Sequence, residues 1–311
     1  MKIIFLTNDT VEEFHGGAQL NTRSLVLHGR ELGHEVSEMT VKTYDREELK
    51  KADLVVLVAL KLFKPEDIYW VADNCKFIKA EMDYAFCKFG NCKCFGEELE
   101  IDKCGQCNPN LEHMKLYDYL LDKSQYFVFF TPQQREHWRT FFGDKVDNSI
   151  LYLQFYDDDK KFTNMGLTRL KNSILWVGRF SLSKGVPNIL KIATENPDMN
   201  FYFVGKASTP DQTEAYVKLI KNVNNCTYLG HIPHDQLPLI YNLCEKFIYY
   251  GLWPDTGPAT IVEAMLCGCQ VLTEKHLATI LSNDFKSIED IRNRIRNSKD
   301  EFWNKIKEAI E

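Results

Sequence analysis

Asp255 and Glu263 stand eight residues apart, on either side of a Gly-Pro turn, in the run Gly251–Thr273 (GLWPDTGPATIVEAMLCGCQVLT). The run reads as a strand end, a loop carrying the first acid, a turn, and a helix carrying the second. The start of a helix presents backbone N–H groups that have no partner within the helix, and such groups suit a phosphate. Carboxylates nearby can accept hydrogen bonds from the hydroxyls of a sugar or a ribose. Phosphate beside polyol is the chemistry of a nucleotide-sugar.

Two other strand ends carry residues of the same kind. In Trp176-Val-Gly-Arg-Phe-Ser-Leu-Ser-Lys-Gly185, Gly178 closes a strand and Arg179 and Lys184 follow in one loop. A guanidinium fork can clamp a phosphate, and a lysine adds a mobile point charge. Phe203-Val-Gly205-Lys206 is a further strand ending in glycine. Alone, each reads as a surface turn with solvated cations. Together with Asp255 they are three strand ends expected to converge on one face of a parallel sheet.

The elements that must position these residues alternate along the whole chain. The first half reads as strands at 1–7, 34–40, 54–60, 77–81, 126–130 and 149–153. Helices stand between them at 18–32, 45–51, 65–73, 111–121 and 132–142. The second half repeats the rhythm, with strands at 173–177, 200–204, 227–229, 246–250 and 270–273. Its helices fall at 186–195, 211–222, 234–243 and 259–267, and two amphipathic helices follow at 287–295 and 299–310. Alternation at this spacing predicts an α/β protein with two Rossmann-like βαβ domains, each on a parallel sheet. The expected boundaries are 1–160, then 161–275, with 276–311 packing across both. The acidic run in 156–161 reads as a solvated connector. Ligands of such sheets lie beyond the carboxyl ends of the strands, and the cleft between domains is the default site.

Composition agrees with a soluble globular chain. The 311 residues are 44% hydrophobic and 26% charged, with a formal net charge of −6. An acidic balance gives no general reason to expect nucleic acid or an anionic membrane as partner. The opening run MKIIFLTND is too short and too soon polar for a leader, and no window is apolar enough to span a bilayer. The expected location is the cytoplasm, where most of the ten cysteines would be reduced.

On these residues the second half resembles the donor domain of a GT-B glycosyltransferase, of the family 4 (group 1) type. The matching pieces are VGR…KG at 177–185, FVG at 203–205, LGHIPHDQLPLIY at 229–241, and the two acids followed by AMLCG ending at Gly268. The resemblance implies transfer of a sugar from a UDP- or GDP-type donor to an acceptor hydroxyl on a glycan, lipid or small molecule. It implies retention of configuration and no catalytic metal. Arg179 and Lys184 would hold the diphosphate, Glu263 the ribose and Asp255 the sugar hydroxyls. Gly257 and the N–H groups of Ala259 and Thr260 would face phosphate. The family usually has Glu at the first acid and no proline three residues on, so Asp255 and Pro258 are departures. Gly16-Gly17 resembles the family's glycine-rich loop, and His15 beside it either contacts a substrate or faces solvent. The histidine that many members carry after the fourth strand is missing from Ala80-Glu-Met-Asp-Tyr84. Glu81 or Asp83 stands there instead, as a base for the acceptor hydroxyl or as a structural carboxylate.

One segment breaks the alternation. Cys87, Cys92, Cys94, Cys104 and Cys107 follow the pattern C-x4-C-x-C-x9-C-x2-C. Paired cysteines in a short polar loop match a tetrahedral thiolate site, with zinc ahead of an iron–sulfur cluster. Cys104 and Cys107 form one arm. Cys87 and Cys92 form the other, with Cys94 as an alternative member. Some family members carry a similar Cys-rich insertion at this place. The cysteines at 75, 226, 244, 267 and 269 sit in apolar contexts and read as core packing. Two other functions fit less well: sugar transfer to modified DNA bases, and non-catalytic binding of a nucleotide-sugar.

Overall fold

The computed structural model describes residues 1–13, 16–87, 111–153, 161–252, 254–274 and 278–311. They fall into two compact units. One is Met1–Asp157 with Asn293–Glu311, and the other is Asp158–Arg292.

In the first unit the strands are β1 (Lys2–Leu6), β2 (Glu35–Met39), β3 (Leu54–Leu57), β4 (Phe77–Ala80), β5 (Phe127–Phe129) and β6 (Ser149–Leu151). They form one parallel sheet in the order β2-β1-β3-β4-β5-β6. Side chains of a strand alternate between faces, and both faces are covered here, so inner strands such as β1, β3 and β5 read as apolar runs. Ile4, Leu6, Val55 and Leu57 enter one core, and Ile3, Phe5, Leu54 and Val56 the opposite one. The helices are α1 (Gly17–Glu31), α2 (Arg46–Leu49), α3 (Pro65–Asn74), α4 (Glu112–Lys123) and α5 (Pro132–Phe142). Local chemistry sets their ends. Asp45 accepts from Glu47 and Glu48 N–H at the start of α2, and Thr131 accepts from Gln134 N–H before Pro132 opens α5. Past the end of α1, Gly33 takes φ +82° and returns its N–H to the Arg30 carbonyl at 2.9 Å.

The second unit holds β7 (Leu170–Val177), α6 (Val186–Glu195), β8 (Asn200–Val204), α7 (Pro210–Lys221), β9 (Cys226–Gly230), α8 (Leu237–Leu243), β10 (Cys244–Ile248), α9 (Ala259–Leu266) and β11 (Gln270–Leu272). Its sheet is parallel, in the order β11-β10-β7-β8-β9. The chain winds outward from β7 to β9, then returns to the other side of β7 for β10 and β11. That reversal makes a crevice at the carboxyl ends of β7 and β10. Arg169 ties the helices behind it. Its guanidinium donates to the carbonyls of Tyr241 (3.1 Å), Cys244 and Cys267 (2.6 Å), at the ends of α8 and α9. The surrounding thiols of Cys244 and Cys267 are buried, which pushes each up to about 12 and makes them packing groups rather than nucleophiles.

The two C-terminal helices expected from the sequence are one, α10 (Ile288–Ile310). No glycine or proline separates them, and Ser298 at the suspected break keeps to the helix, donating to the carbonyls of Ile295 and Leu153. From Asn293 onward this helix belongs to the first unit. There Phe302, Trp303 and Ile306 complete the core on one face of the sheet. Trp303 lies so close to α1 that a Cβ on Gly29 would stand 2.1 Å from its ring, and its indole N–H donates to the Leu25 carbonyl at 3.1 Å. Trp303→Ala should therefore lower stability by about 3–5 kcal/mol, the range for a large buried aromatic. Denaturant unfolding checks this; a loss under about 1 kcal/mol would place the anchor of α10 elsewhere.

Candidate functional site

The crevice of the second unit is walled by the loop after β7 and the loop after β10, and their backbones are stitched together. Leu252 N–H donates to the Ser183 carbonyl at 3.0 Å. Gly185, at φ +75°, lies so close under the Tyr250 carbonyl that an added Cβ would sit 1.5 Å from its oxygen. Only glycine fits there, on both counts. The neighbouring strand ends pack as tightly: at Gly205 a Cβ would meet the Gly178 carbonyl at 1.8 Å. Glycines at 185 and 205 thus let neighbouring backbones at the strand ends close up.

This stitching brings Lys184 against Asp255. The ammonium is paired with Oδ2, the Tyr249 hydroxyl donates to the same oxygen at 2.7 Å, and Gly257 N–H reaches Oδ1 at 3.4 Å. The Asp255 main chain is clamped from the far side, where Thr279 donates to its carbonyl through N–H (3.1 Å) and hydroxyl (2.8 Å). Burial would raise the Asp255 pKa, but the Lys184 charge and the hydrogen bonds outweigh it and hold the carboxyl below its ordinary value. Tyr249 is pushed well above its own by burial and by the Asp255 charge. Arg179, on the same loop as Lys184, is exposed and has no hydrogen-bond or ion-pair partner among the described residues. Gly257, Ala259 and Thr260 form the entry to α9, with Pro258 as the residue before its first turn.

Glu263 belongs to a second, buried cluster. Its side chain has no exposed surface; Oε1 meets His234 Nε2 at 2.9 Å and Oε2 accepts from the Tyr241 hydroxyl at 2.8 Å. The outward-facing member is His234, whose side chain keeps 31% of its surface exposed. Beyond β8 and β9 a groove of about 570 Å³ is lined by Lys206, Thr209, Tyr228 and His231, among others.

In the first unit Gly16 precedes α1 in extended conformation and the space over Gly17 is open. Glu81 is buried after β4 and paired with the equally buried Lys79 at 3.0 Å. Lys79 also donates to the carbonyls of Val58 and Ala80, and Glu81 accepts from Asp83 and Ala85 N–H. This pair therefore organises the turn after the strand. A cavity of about 310 Å³ opens beside it, bordered by Glu81, Asp83, Lys61 and His113 with apolar walls. Asp83 keeps an exposed flank, yet its carboxyl lies in the concave mouth. Loss of water there and the adjoining Glu81 charge raise its pKa. Cys87 is buried at the edge of the same cavity. His15, Cys92, Cys94, Cys104 and Cys107 lie outside the described residues, and among the described ones no cluster of three or more metal-ligating side chains occurs.

Four participants escaped the sequence reading. The first is Lys79, which stands two residues before the already named Glu81 in an extended segment, so that the two share a face. His234 and Tyr241 stand inside the LGHIPHDQLPLIY run without a feature that separates them from packing residues. Tyr249 ends an apolar strand and reads as core.

Residues 157–279 match the family model described as "Glycosyl transferases group 1". Spore coat protein SA of Bacillus subtilis (strain 168) is 27% identical over 114 residues, a stretch covering 33% of this chain and 30% of that protein. Solved structures align over nearly the whole chain. Sucrose-phosphate synthase from Thermosynechococcus elongatus superposes with TM-score 0.64 at 15% identity, covering 96% of this chain and 94% of that one. A glycosyltransferase from Rickettsia africae gives 0.64 at 14%, covering 100% and 98%. Anabaena HepE in complex with UDP and glucose gives 0.60 at 13%, covering 96% and 94%. Likeness at such identity establishes the fold: an α/β protein with two parallel sheets, of the GT-B glycosyltransferase type.

Proposed function

We propose that this protein transfers a sugar from a nucleoside-diphosphate donor, of the UDP or GDP type, to an acceptor hydroxyl. The observation that carries the reading is the Lys184–Asp255 pair in the switch-point crevice, whose lysine shares a loop with Arg179 and whose acid lies next to the start of α9. Arg179 and Lys184 hold the diphosphate and stabilise the negative charge that grows on it as the bond to the sugar breaks. The α9 N–H groups of Ala259 and Thr260 face the same phosphates. Lys184 must leave Asp255 to do this, which its flexible four-carbon stem permits. Asp255 then accepts hydrogen bonds from the sugar. Contact of the ribose with Glu263 requires His234 to release Oε1, because both carboxylate oxygens are engaged. The groove by Lys206 and His231 offers room for the base. Retention of configuration and independence of a catalytic metal belong to the same reading, as expectations carried by the sequence resemblance. The cavity beside Glu81 and Asp83 is the candidate seat of the acceptor, a glycan, lipid or small molecule, with either acid placed to take its proton.

The test is nucleotide release from a panel of UDP- and GDP-sugars, with thermal shift as the binding readout. A donor at one hundred times its Kd adds about 2.7 kcal/mol of stability. Lys184→Ala should lower turnover roughly 10²–10³-fold, as for loss of one group that stabilises developing charge. If no donor stabilises or is consumed by the protein, the proposal fails.

The cysteine loop adds a structural zinc to the proposal, held by Cys87, Cys92, Cys104 and Cys107, with Cys94 as alternative member. The support is the spacing and the thiolate chemistry of the donor set; four thiolates would order a loop poor in apolar residues. Metal analysis of the purified chain should find about one equivalent of zinc, and less than about half an equivalent of zinc or iron overturns this part.

A further inference from the structure

Tyr249 follows the last residue of β10, is 3% exposed, and donates its hydroxyl to Asp255 Oδ2 at 2.7 Å. Its ring also flanks the lysine, with Lys184 Nζ 6.0 Å from the centroid. One phenol therefore touches both halves of the pair. The rest follows from counting donors. Asp255 is 14% exposed at its side chain, so water cannot replace a lost partner freely. In the donor-binding reading given above, Lys184 serves the diphosphate and no longer Asp255. Two donors then remain on the carboxylate, Tyr249 O–H and Gly257 N–H, and the second is long at 3.4 Å. A buried carboxylate with one weak donor would rotate or take up a proton.

We propose that Tyr249 is a positioning residue, which holds the Asp255 carboxylate ionised and aimed at the sugar after Lys184 has moved to the diphosphate. This inference rests on the transfer reading. The phenol suits the task because it stays protonated, and so stays a donor, throughout the working range. Among the described residues, Lys184 from the loop after β7 and Tyr249 are the titratable groups that act on Asp255. From the far side Thr279 binds its main-chain carbonyl, not its carboxylate.

The sign of the effect is fixed. Asp255 is depressed below 3.8 in the folded chain, so its stabilisation is complete above that pH and is lost as pH falls through the depressed pKa. Removing the Tyr249 hydroxyl raises that pKa. Thermal midpoints of the donor-free full chain should then be lower in Tyr249→Phe than in wild type at pH 5–7, with the gap closing as pH falls below 3.8, because less Asp255 stabilisation is left to lose. Tyr249→Phe combined with Asp255→Asn should behave as Asp255→Asn alone. With a donor that wild type turns over, Tyr249→Phe should lower kcat roughly ten- to hundredfold, the range for a hydrogen bond to a charged group. The donor KM should change much less, and the acid limb of the kcat profile should move up. If Tyr249→Phe does not fold, 3-fluorotyrosine at position 249, a stronger donor of nearly the same shape, should move the acid limb down. Wild-type activity with an unchanged acid limb and kcat in these variants overturns the positioning role and leaves the transfer reading standing. No turnover or binding of any nucleotide-sugar by wild type overturns the transfer reading, and the positioning role with it.

Discussion

Everything at the candidate site depends on how closely two loops of backbone approach. The Tyr250 carbonyl occupies the space where any side chain at position 185 would begin. Because that space is left empty, Ser183 can accept from Leu252, and Lys184 is carried to Asp255 without a long search through rotamers. A side chain on Gly185 would part the loops, and the ion pair, the phenol bond and the setting of α9 would lose their frame together. The electrostatics are secondary in this sense: a carboxylate so nearly buried is tolerable only because the backbone has already brought it a cation and two further donors.

The two acids singled out by spacing have different fates for the same reason. Asp255 lies on the loop after β10, with 14% of its side chain exposed. Glu263 lies one turn into an apolar helix and takes partners from the elements packed above it, His234 and Tyr241. Position along this segment thus decides that Asp255 is held by a lysine on a neighbouring loop and Glu263 by side chains packed around its helix.

The alternating sheets and helices could be read from the chain because the central strands are buried on both faces and several helices carry ordinary end signals, such as Asp45, Thr131 and Gly33. The cations and acids at strand ends were legible too, since chemistry of that kind has no place in a core. Tyr249 was not. A tyrosine that closes an apolar strand has the same local signature whether its hydroxyl meets a carboxylate or a carbonyl, and only the packing of a loop 65 residues upstream, at Lys184, decides. Lys79 escaped for the opposite reason. A lysine in an apolar strand contradicts local expectation, and the pairing that makes it tolerable is visible only when burial is known.

The bond between Trp303 and Leu25 joins residues 278 positions apart, and it closes a core whose members outside α10 lie in the first half of the chain. During synthesis those members emerge early and wait. The second unit, continuous from Asp158 to Arg292, leaves the ribosome before the segment that completes the first. The first unit is thus begun before the second and completed after it, and part of its apolar face stays uncovered until α10 emerges.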